Sequence, residues 1–313
     1  MASKNTSAAA GSVPVPAALL TAAAGPPKLW VQPTSGEVIT TTSTKNAYTI
    51  GDRIGEGAYG IVYECKDGWN NELAVKVLKP IATYENVRDA ALAEFGKLMQ
   101  LRHPNITFVY DAFEFRNTFY IVMERCYGPL TTTLFALPNF NGLVWLLPVA
   151  RCLLQAINYL HLNNYIHQDI HLGNIFSVLM KDEIVSNEAR IIKFKLGDLG
   201  VARLVTEVGV NNTRAQWMLP PETLNPTEYG PIDLRLDIYH LGLILLQLAY
   251  SKELRFTQQE VLDGEPRQMA LELAAPYRAA LEKALRRHAQ YRTATAMELW
   301  RDLNSPAGEK QDE

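Results

Sequence analysis

The feature of this sequence that most constrains its fold is a change of pattern near residue 124. Before it, short β-prone runs alternate with glycine-containing turns, whereas beyond residue 140 the apolar residues follow helical spacing. The β-prone runs lie at 48–54, 61–65, 73–78, 106–110 and 119–123, with one helix predicted at 86–101 among them. The later helices are predicted at 144–160, 238–250, 268–287 and 294–303. Because strands come first and helices later, the pattern favours an α+β fold over a doubly wound parallel sheet.

Composition narrows the possible classes of protein. The chain has 30 basic and 33 acidic residues, a balance that argues against a nucleic-acid-binding protein held by phosphate contacts. Its three cysteines, Cys65, Cys126 and Cys152, cannot all pair and form no CxxC motif, so they predict neither a disulfide framework nor a zinc site. Prolines interrupt both long uncharged stretches, 5–27 and 126–150, and neither is predicted to span a membrane. We expect a cytoplasmic protein that binds neither nucleic acid nor membrane.

The two ends of the chain differ in composition from the rest. Residues 1–46 are rich in Ala, Ser, Thr and Pro and contain few charges. Such a segment buries too little apolar surface to offset the entropy lost on folding. We therefore expect 1–46 to be disordered or loosely attached, 305–313 to be a tail, and 47–304 to form the folded unit.

The first chemical motif is a GxGxxG sequence made by Gly55, Gly57 and Gly60. Glycines let a backbone approach phosphate oxygens closely, but in a dinucleotide-binding fold a helix would follow directly. A β-prone run follows here, so we expect the loop to join two antiparallel strands, and an ordinary hairpin turn is the alternative interpretation. Lys76 lies farther on in an apolar run, where a buried lysine needs an anionic partner such as a phosphate or Glu94. The alternative is a strand-end lysine that reaches solvent.

Two later motifs contain acids. Asn174 follows five residues after Asp169, and such an acid and amide can hold a hydroxyl nucleophile and a metal. Asp198 ends a predicted strand next to Gly197, where a carboxylate can bridge a metal to phosphates. Each aspartate is also compatible with an Asx turn or a strand end, so neither motif decides the function alone.

The order and spacing of these motifs resemble those of the eukaryotic-type (Hanks-type) serine/threonine protein kinases over roughly residues 47–304. The matching stretches are 55–62, 74–76, 167–174, 198–200 and 220–222. Asp237 resembles the buried acid that bridges to the catalytic loop of this family, and Arg292 resembles the late arginine that pairs with Glu222.

This resemblance implies an α+β, bilobal protein-kinase-like fold. A small antiparallel β-sheet lobe with one main helix is expected at about 47–124, and a larger, mainly α-helical lobe at about 127–304. The implied cofactors are ATP and Mg²⁺, and the implied partners are protein substrates with Ser or Thr hydroxyls.

The resemblance also implies roles for individual residues. Asp169 would be the catalytic base, with His171 beside it, and Lys76 would hold phosphates while Glu94 positions it. Asn174 and Asp198 would bind the metal. The implied nucleotide-binding residues are Gly55, Gly57, Gly60, Val62, Ala74, Lys76, Met123, Glu124 and Cys126.

Several residues depart from the family pattern and keep alternatives open. His171 replaces the usual lysine and echoes the HxDxHxxN loop of aminoglycoside and choline phosphotransferases, which suggests a small-molecule kinase as one alternative. Gln168 replaces the arginine that commonly pairs with a phosphate, so we expect activity not to depend on phosphorylation of Thr206 or Thr213. Ala215 stands where many relatives have a threonine that touches the catalytic aspartate. A pseudokinase scaffold is therefore the second alternative.

Overall fold

The computed structural model describes residues 31–41, 44–57, 60–79, 89, 95–96, 99–181, 190–199, 202–208 and 218–305. The chain divides into two compact units. The first unit contains residues up to 96 together with Tyr110–Val122, and the second contains Lys97–Val109 together with residues from 123 onward. The predicted α+β class, with a sheet in the first unit and mainly helices in the second, is confirmed.

A six-stranded sheet forms most of the first unit. Its strands are β1 (Val38–Thr40), β2 (Ala47–Glu56), β3 (Gly60–Asp67), β4 (Glu72–Leu78), β5 (Val109–Phe115) and β6 (Thr118–Glu124), in the order β1-β2-β3-β4-β6-β5. The pairs from β1 to β4 are antiparallel. The predicted helix at 86–101 lies mostly outside the described residues. Of its described positions, 89, 95–96 and 99–100 are helical, whereas Leu101 is not.

The core of this unit lies on the inner face of the sheet. Alternate residues of the strands point inward, as the burial pattern of β3 illustrates. The ring of Tyr48 on β2 stacks on Phe113 of β5 at 5.8 Å, although these strands are not neighbours in the sheet. Phe113 stacks in turn on Tyr120 at 5.4 Å. The sheet therefore curls until its two edges share one core.

The expectation that 1–46 lies outside the folded unit is wrong for its described part. Strand β1 pairs with β2, and the side chain of Ile39 is only 1% exposed in the core. Arg116 pairs with Glu37 at 2.6 Å, and buried Asp111 accepts hydrogen bonds from the loop that follows β1. Two buried apolar residues, Pro33 and Ile39, and several polar anchors hold this segment, which is why its average composition was misleading. Residues 1–30 lie outside the described residues.

Helices form most of the second unit. They are α1 (Leu130–Thr133), α2 (Gly142–Leu162), α3 (Pro221–Leu224), α4 (Pro226–Tyr229), α5 (Arg235–Ala249), α6 (Gln258–Asp263), α7 (Glu265–Leu271), α8 (Tyr277–Ala284) and α9 (Ala296–Asn304). The single helix predicted at 268–287 is wrong, because the chain forms α7 and α8 with Pro276 between them. Proline lacks an amide hydrogen and clashes with the preceding turn of a helix. The helical spacing of apolar residues therefore runs past Pro276 in the sequence, although a single helix cannot.

Helices α2 and α5 pack together at the centre of this unit. By length and composition α2 could cross a membrane, and nine of its 21 residues are buried. A Cβ atom on Gly142 would lie 2.0 Å from the carbonyl oxygen of Leu248 on α5. Only glycine therefore permits this close approach of the two helices.

Short strands complete the second unit and frame its loops. They are β7 (Gly128–Pro129), β8 (Tyr165–Ile166), β9 (Ile175–Lys181), β10 (Arg190–Leu196) and β11 (Arg203–Leu204). Strands β9 and β10 pair antiparallel with Lys181 opposite Arg190. The two strands thus form an antiparallel hairpin, whose residues 182–189 lie outside the described residues. Strand β8 pairs with β11.

Candidate active site

The loop at 167–174 lies between strands β8 and β9. It ends in one turn of 3₁₀ helix, Leu172–Asn174, whose N-cap is the side chain of His171. Gln168 has a φ of 71°, a backbone conformation that non-glycine residues seldom adopt. Such a conformation persists only when surrounding contacts impose it, so the contacts of this loop are informative.

Asp237 at the start of α5 supplies those contacts. Its two carboxylate oxygens accept hydrogen bonds from the backbone amides of His167 and Gln168, both at 2.9 Å. The Nε2 atom of His161 lies 3.0 Å from the same carboxylate, which is fully buried. Burial alone would raise the pKa of Asp237, but the hydrogen bond and charge of His161 hold it below its usual value. The predicted bridge from Asp237 to this loop is confirmed.

Within the loop, Asp169, His171 and Asn174 come together. The Nδ2 atom of Asn174 donates to the backbone oxygen of Asp169 at 3.0 Å and to its Oδ2 at 3.3 Å. The Nδ1 atom of His171 accepts from the amide of Gly173 at 3.0 Å, so a neutral ring carries its hydrogen on Nε2. That Nε2 atom lies 3.7 Å from Oδ2 of Asp169. The loop thus holds one carboxylate between an amide donor and an imidazole.

The environment of Asp169 keeps it ionised. Burial raises its pKa, but hydrogen bonding and charge from His171, together with the charge of His167, lower it by more, and the net direction is downward. Asp169 is therefore a carboxylate at neutral pH, able to accept a hydrogen bond from a hydroxyl group.

Asp198 follows Gly197 directly after strand β10. The amide of Gly197 donates to the carbonyl of Asn174 at 2.8 Å, and Nε2 of His167 lies 3.1 Å from the carbonyl of Gly197. A Cβ atom on Gly197 would lie 2.5 Å from the ring of Phe176, so only glycine fits there. The exposed Asp198 therefore directly follows a residue, Gly197, whose backbone is hydrogen-bonded to Asn174.

The predicted phosphate-binding residues of the first unit lie on β2, β3 and β4. Gly55 pairs with Val62 across the β2–β3 hairpin, and the amide of Gly57 donates to the carbonyl of Gly60 at 2.9 Å. The prediction that this loop joins two antiparallel strands is confirmed. Lys76 lies on β4 opposite Val62.

Other residues of the first unit complete the placement of the predicted site. Ala74 is buried on β4, whereas Glu94 lies outside the described residues, as do Thr213 and Ala215. Sequence reasoning missed Lys79, whose Nζ donates to the carbonyl of Gly57 at 3.0 Å and pairs with Glu56. A lysine one residue after β4 carried no signal that it would fasten the glycine loop.

The residues predicted to line the adenine pocket, Met123, Glu124 and Cys126, follow one another at the end of β6. The amide of Glu124 donates to the carbonyl of Phe108 at 2.9 Å, and its carboxylate accepts from the Phe108 amide at 3.0 Å. Lys195 on β10 pairs with that carboxylate at 2.7 Å and was also missed from the sequence. Burial raises the pKa of the Cys126 thiol to about 12, so this thiol stays protonated at neutral pH.

A magnesium ion suits the side chains that the sequence assigned to it. Among the described residues no three His, Cys, Asp or Glu side chains cluster as a metal site. Mg²⁺, however, commonly uses one or two protein oxygens and takes its other ligands from phosphates and water. Because Nδ2 of Asn174 donates to Asp169, its Oδ1 is the amide atom left for a metal, and Asp198 supplies a carboxylate. This donor set fits a hard cation.

The second unit also contains a buried ion pair between Arg292 and Glu222. Arg292 contacts Glu222 through two parallel hydrogen bonds of 2.5 and 2.6 Å, and both side chains are at most 1% exposed. The guanidinium also donates to backbone carbonyls of Arg286 and Arg287. The predicted pairing of Arg292 with Glu222 is confirmed.

Comparison with known proteins agrees with this arrangement. The sequence matches the family model for the protein kinase domain over residues 48–303. It is 28% identical over 206 residues to cyclin-dependent kinase-like 1 of Caenorhabditis elegans, which covers 64% of this chain and 54% of that protein. Cyclin-dependent kinase-like 4 of Mus musculus is also 28% identical over 206 residues, covering 64% and 56%.

The chain thus spans about half the length of the curated relatives that it matches. The family model, by contrast, matches more than half of this chain, and the matched range contains both the glycine loop and the loop held by Asp237. This chain belongs to the protein kinase family.

Proposed function

We propose that this chain is an ATP- and Mg²⁺-dependent kinase that transfers the γ-phosphate of ATP to Ser or Thr hydroxyls of protein substrates. The observation that carries the proposal is the ionised Asp169, held beside Asn174 in a loop whose backbone is fixed by Asp237. Phosphoryl transfer asks little covalent chemistry of the protein, so accurate positioning of charged groups accounts for most of the catalysis.

In the proposed mechanism each group has a separate task. Asp169 accepts a hydrogen bond from the substrate hydroxyl and orients it. It takes the proton as the substrate oxygen bonds to the γ-phosphorus of ATP, while the bond from that phosphorus to the bridging oxygen breaks and ADP leaves. Asn174 and Asp198 would hold Mg²⁺, and the bound ion would supply positive charge that neutralises the phosphates. Lys76, positioned by Glu94, pairs with the phosphates, and the amides of the glycine loop cover them.

Further residues would shape the nucleotide pocket. Val62 and Ala74 would be among the nucleotide-binding residues, and the segment of Met123, Glu124 and Cys126 would border the adenine. The contacts of Glu124 with Phe108 and Lys195 fix the backbone of that segment, which supports this role. A rigid backbone there loses little conformational freedom when a nucleotide binds.

His171 would act differently from the lysine usual at its position. Because Nδ1 accepts from Gly173, the Nε2 hydrogen points toward Asp169 and can donate one hydrogen bond to that carboxylate or to a phosphate oxygen. A lysine would instead bring a full positive charge. We therefore assign His171 a role in orienting Asp169 and the transferred group.

The test is a phosphotransfer assay with labelled ATP and Mg²⁺ on general protein substrates, with phosphoamino-acid analysis of the product. Asp169→Asn should lower incorporation at least about 100-fold, because it removes the base. The matched control is Asp263→Asn, which changes an exposed aspartate at the end of α6 and should leave incorporation unchanged.

Three results would overturn the proposal. Equal incorporation by wild type and Asp169→Asn would remove Asp169 as the base. Nucleotide binding without any transfer would identify a pseudokinase scaffold. Rapid transfer to an aminoglycoside or to choline, without labelled protein, would identify the small-molecule kinase that the histidine of the loop suggests.

A cytoplasmic location is part of the same proposal. Cys65, Cys126 and Cys152 are all free thiols in the described structure. Free thiols are typical of reducing compartments, where ATP is also abundant. Fractionation of the native cell, followed by immunodetection of the chain, tests this part separately.

A further inference from the structure

A second concave surface lies in the first unit, at the end of the sheet that carries the β3–β4 hairpin. The cavity measures about 730 Å³, which is within the range of small-ligand sites. Three aromatic side chains line it, and two of them are exposed, Trp69 at the tip of the hairpin and Tyr110 at the start of β5. Neither residue belongs to the phosphate- or metal-binding set, so the site needs its own explanation.

The exposure of these aromatic rings is unusual. Trp69 is 88% exposed and Tyr110 is 53% exposed. Exposed tryptophan and tyrosine side chains are enriched where proteins bind partners, because they supply a large contact area at low entropic cost. Two such side chains among the lining residues of one cavity therefore indicate a binding surface.

The hairpin that carries Trp69 is held in one conformation. Oδ1 of Asp67 accepts from the amides of Trp69 and Asn71, both at 2.9 Å, and Oδ2 accepts from Nδ2 of Asn71 at 2.9 Å. These contacts lower the pKa of Asp67, with the Asn71 side chain as the largest cause. The tip is thus preorganised, and it keeps a full negative charge.

Two other lining side chains are also held in place. Tyr48 and Asn46 line the cavity, and both donate to Oδ2 of the buried Asp111, at 3.0 and 3.3 Å. A lining held in this way can bind without the cost of ordering several side chains.

The charges around the cavity favour a cation. Asp67 and Glu72 contribute two negative charges to its lining, and Lys45 contributes one positive charge. The buried carboxylate of Asp111 lies directly behind Tyr48. A cation over an aromatic face is attracted by the ring, and the attraction grows when carboxylates lie nearby.

We propose that this cavity binds an arginine or lysine side chain presented by an extended peptide segment of a protein partner. The cation lies against Trp69 and Tyr110, with Glu72 and Asp67 supplying the opposite charge. The site would bring a basic partner to the sheet of the first unit and does not depend on phosphate transfer.

The test measures binding by the full chain without ATP, so it stands or falls separately from the proposed kinase activity. The probe is acetyl-Gly-Ala-Arg-Ala-Gly-amide, and the control peptide replaces arginine by its neutral isostere citrulline. Titration is followed through the indole N–H signal of Trp69 in ¹H–¹⁵N spectra, which Trp69→Phe assigns. We expect millimolar binding of the arginine peptide and at least about tenfold weaker binding of the citrulline peptide.

Charge variants test whether the affinity for the arginine peptide changes in the direction that the proposal predicts. Glu72→Gln should weaken the arginine peptide about threefold, whereas Lys45→Gln should strengthen it about threefold, because the local field changes in opposite directions. Glu114→Gln is the matched control, since it removes an exposed charge from the same sheet outside the cavity lining. Its affinity should equal that of the wild type.

Three outcomes overturn the proposal. The first is that the Trp69 signal stays in place with about 10 mM arginine peptide in a protein whose spectrum shows that it is folded. The second is that the arginine and citrulline peptides bind equally well. The third is that Glu72→Gln strengthens binding of the arginine peptide and Lys45→Gln weakens it, which would identify an anion site. Trp69→Ala, in a hairpin whose backbone is held by Asp67, should abolish the discrimination between the peptides.

Discussion

Each unit contains a buried aspartate that accepts three hydrogen bonds and holds a segment in place, but the donors differ. In the second unit, Asp237 accepts from the backbone amides of His167 and Gln168 and lies next to His161. In the first unit, Oδ2 of Asp111 accepts from three side chains, those of Thr44, Asn46 and Tyr48. The two residues are 0% and 9% exposed.

The difference shows what each aspartate controls. Amides of consecutive residues fix the backbone dihedral angles of the loop itself, including the strained Gln168. Side-chain donors fasten a segment whose backbone is already set by the β1–β2 pairing and by the buried Ile39. Losing Asp237 should therefore change the geometry of the site, whereas losing Asp111 should cost stability alone.

The largest effect is expected for Asp237→Asn. The new amide accepts one of the two backbone donors but turns its own NH₂ group toward the other, so a buried donor loses its partner. We expect a loss of about 4 kcal/mol in the free energy of unfolding and at least about 100-fold less phosphotransfer. Urea unfolding measures the first quantity and the labelled-ATP assay measures the second.

Asp233→Asn is the matched control for this prediction. Asp233 lies just before the same helix, and its pairing with Arg235 is partly exposed. Such a pair contributes about 0 to 1 kcal/mol, so the control should unfold near the wild-type urea concentration and keep its activity. A stable and fully active Asp237→Asn would show that the backbone of the loop does not need this anchor.

The second prediction concerns acid and involves His240, one turn after Asp237 on α5. Burial lowers the pKa of His240 from 6.5 to about 4, and its Nδ1 has no hydrogen-bond partner among the described residues. Between pH 6.5 and 4 the unfolded chain binds a proton there and the folded chain does not, so stability falls as the pH falls. The loss should reach about 3 kcal/mol near pH 4.

His240→Leu should remove this pH dependence, because leucine does not titrate. Urea unfolding at several values between pH 7 and pH 4 measures it. The variant should lose less stability than the wild type over that range, and parallel curves would show that His240 is not the group responsible. Asp237 acts in a lower window, since its lowered pKa stabilises the fold above its usual value of 3.8 and is lost only in stronger acid.

The two regions also differ in how far the sequence could predict them. The chemistry around Asp169 and Asn174 lies within eight consecutive residues, so residue types and spacing were enough to propose it. The anchor at Asp237 was predicted from the resemblance to the kinase family, in which a buried acid before a long apolar run bridges to the catalytic loop. Local patterns therefore predicted the second unit well, except where Pro276 interrupts an otherwise helical spacing.

Contacts that join distant positions could not be predicted. Glu124 and Lys195 are 71 positions apart, and each alone is compatible with a solvent-exposed side chain. Strand β1 was missed because only Ile39 among its residues is buried, while polar neighbours dominate its composition. Asp111, which stabilises that segment, lies on β5, and the two come together only because the sheet curls.

The smallest effect is expected for Asp111→Asn, the same substitution as at Asp237. All three donors contact Oδ2, so the carbonyl oxygen of asparagine can take that place and keep accepting from them, while its NH₂ group replaces Oδ1 and the negative charge is lost. We expect a loss of about 1 to 2 kcal/mol in the free energy of unfolding, without a change in phosphotransfer per folded molecule. Asp52→Asn, an exposed carboxylate on β2 that accepts only from Ser35 among the described residues, is the control and should stay within about 0.5 kcal/mol of the wild type. A loss of activity in Asp111→Asn equal to that in Asp237→Asn would mean that side-chain anchors at the sheet control the site as strictly as backbone anchors in the loop.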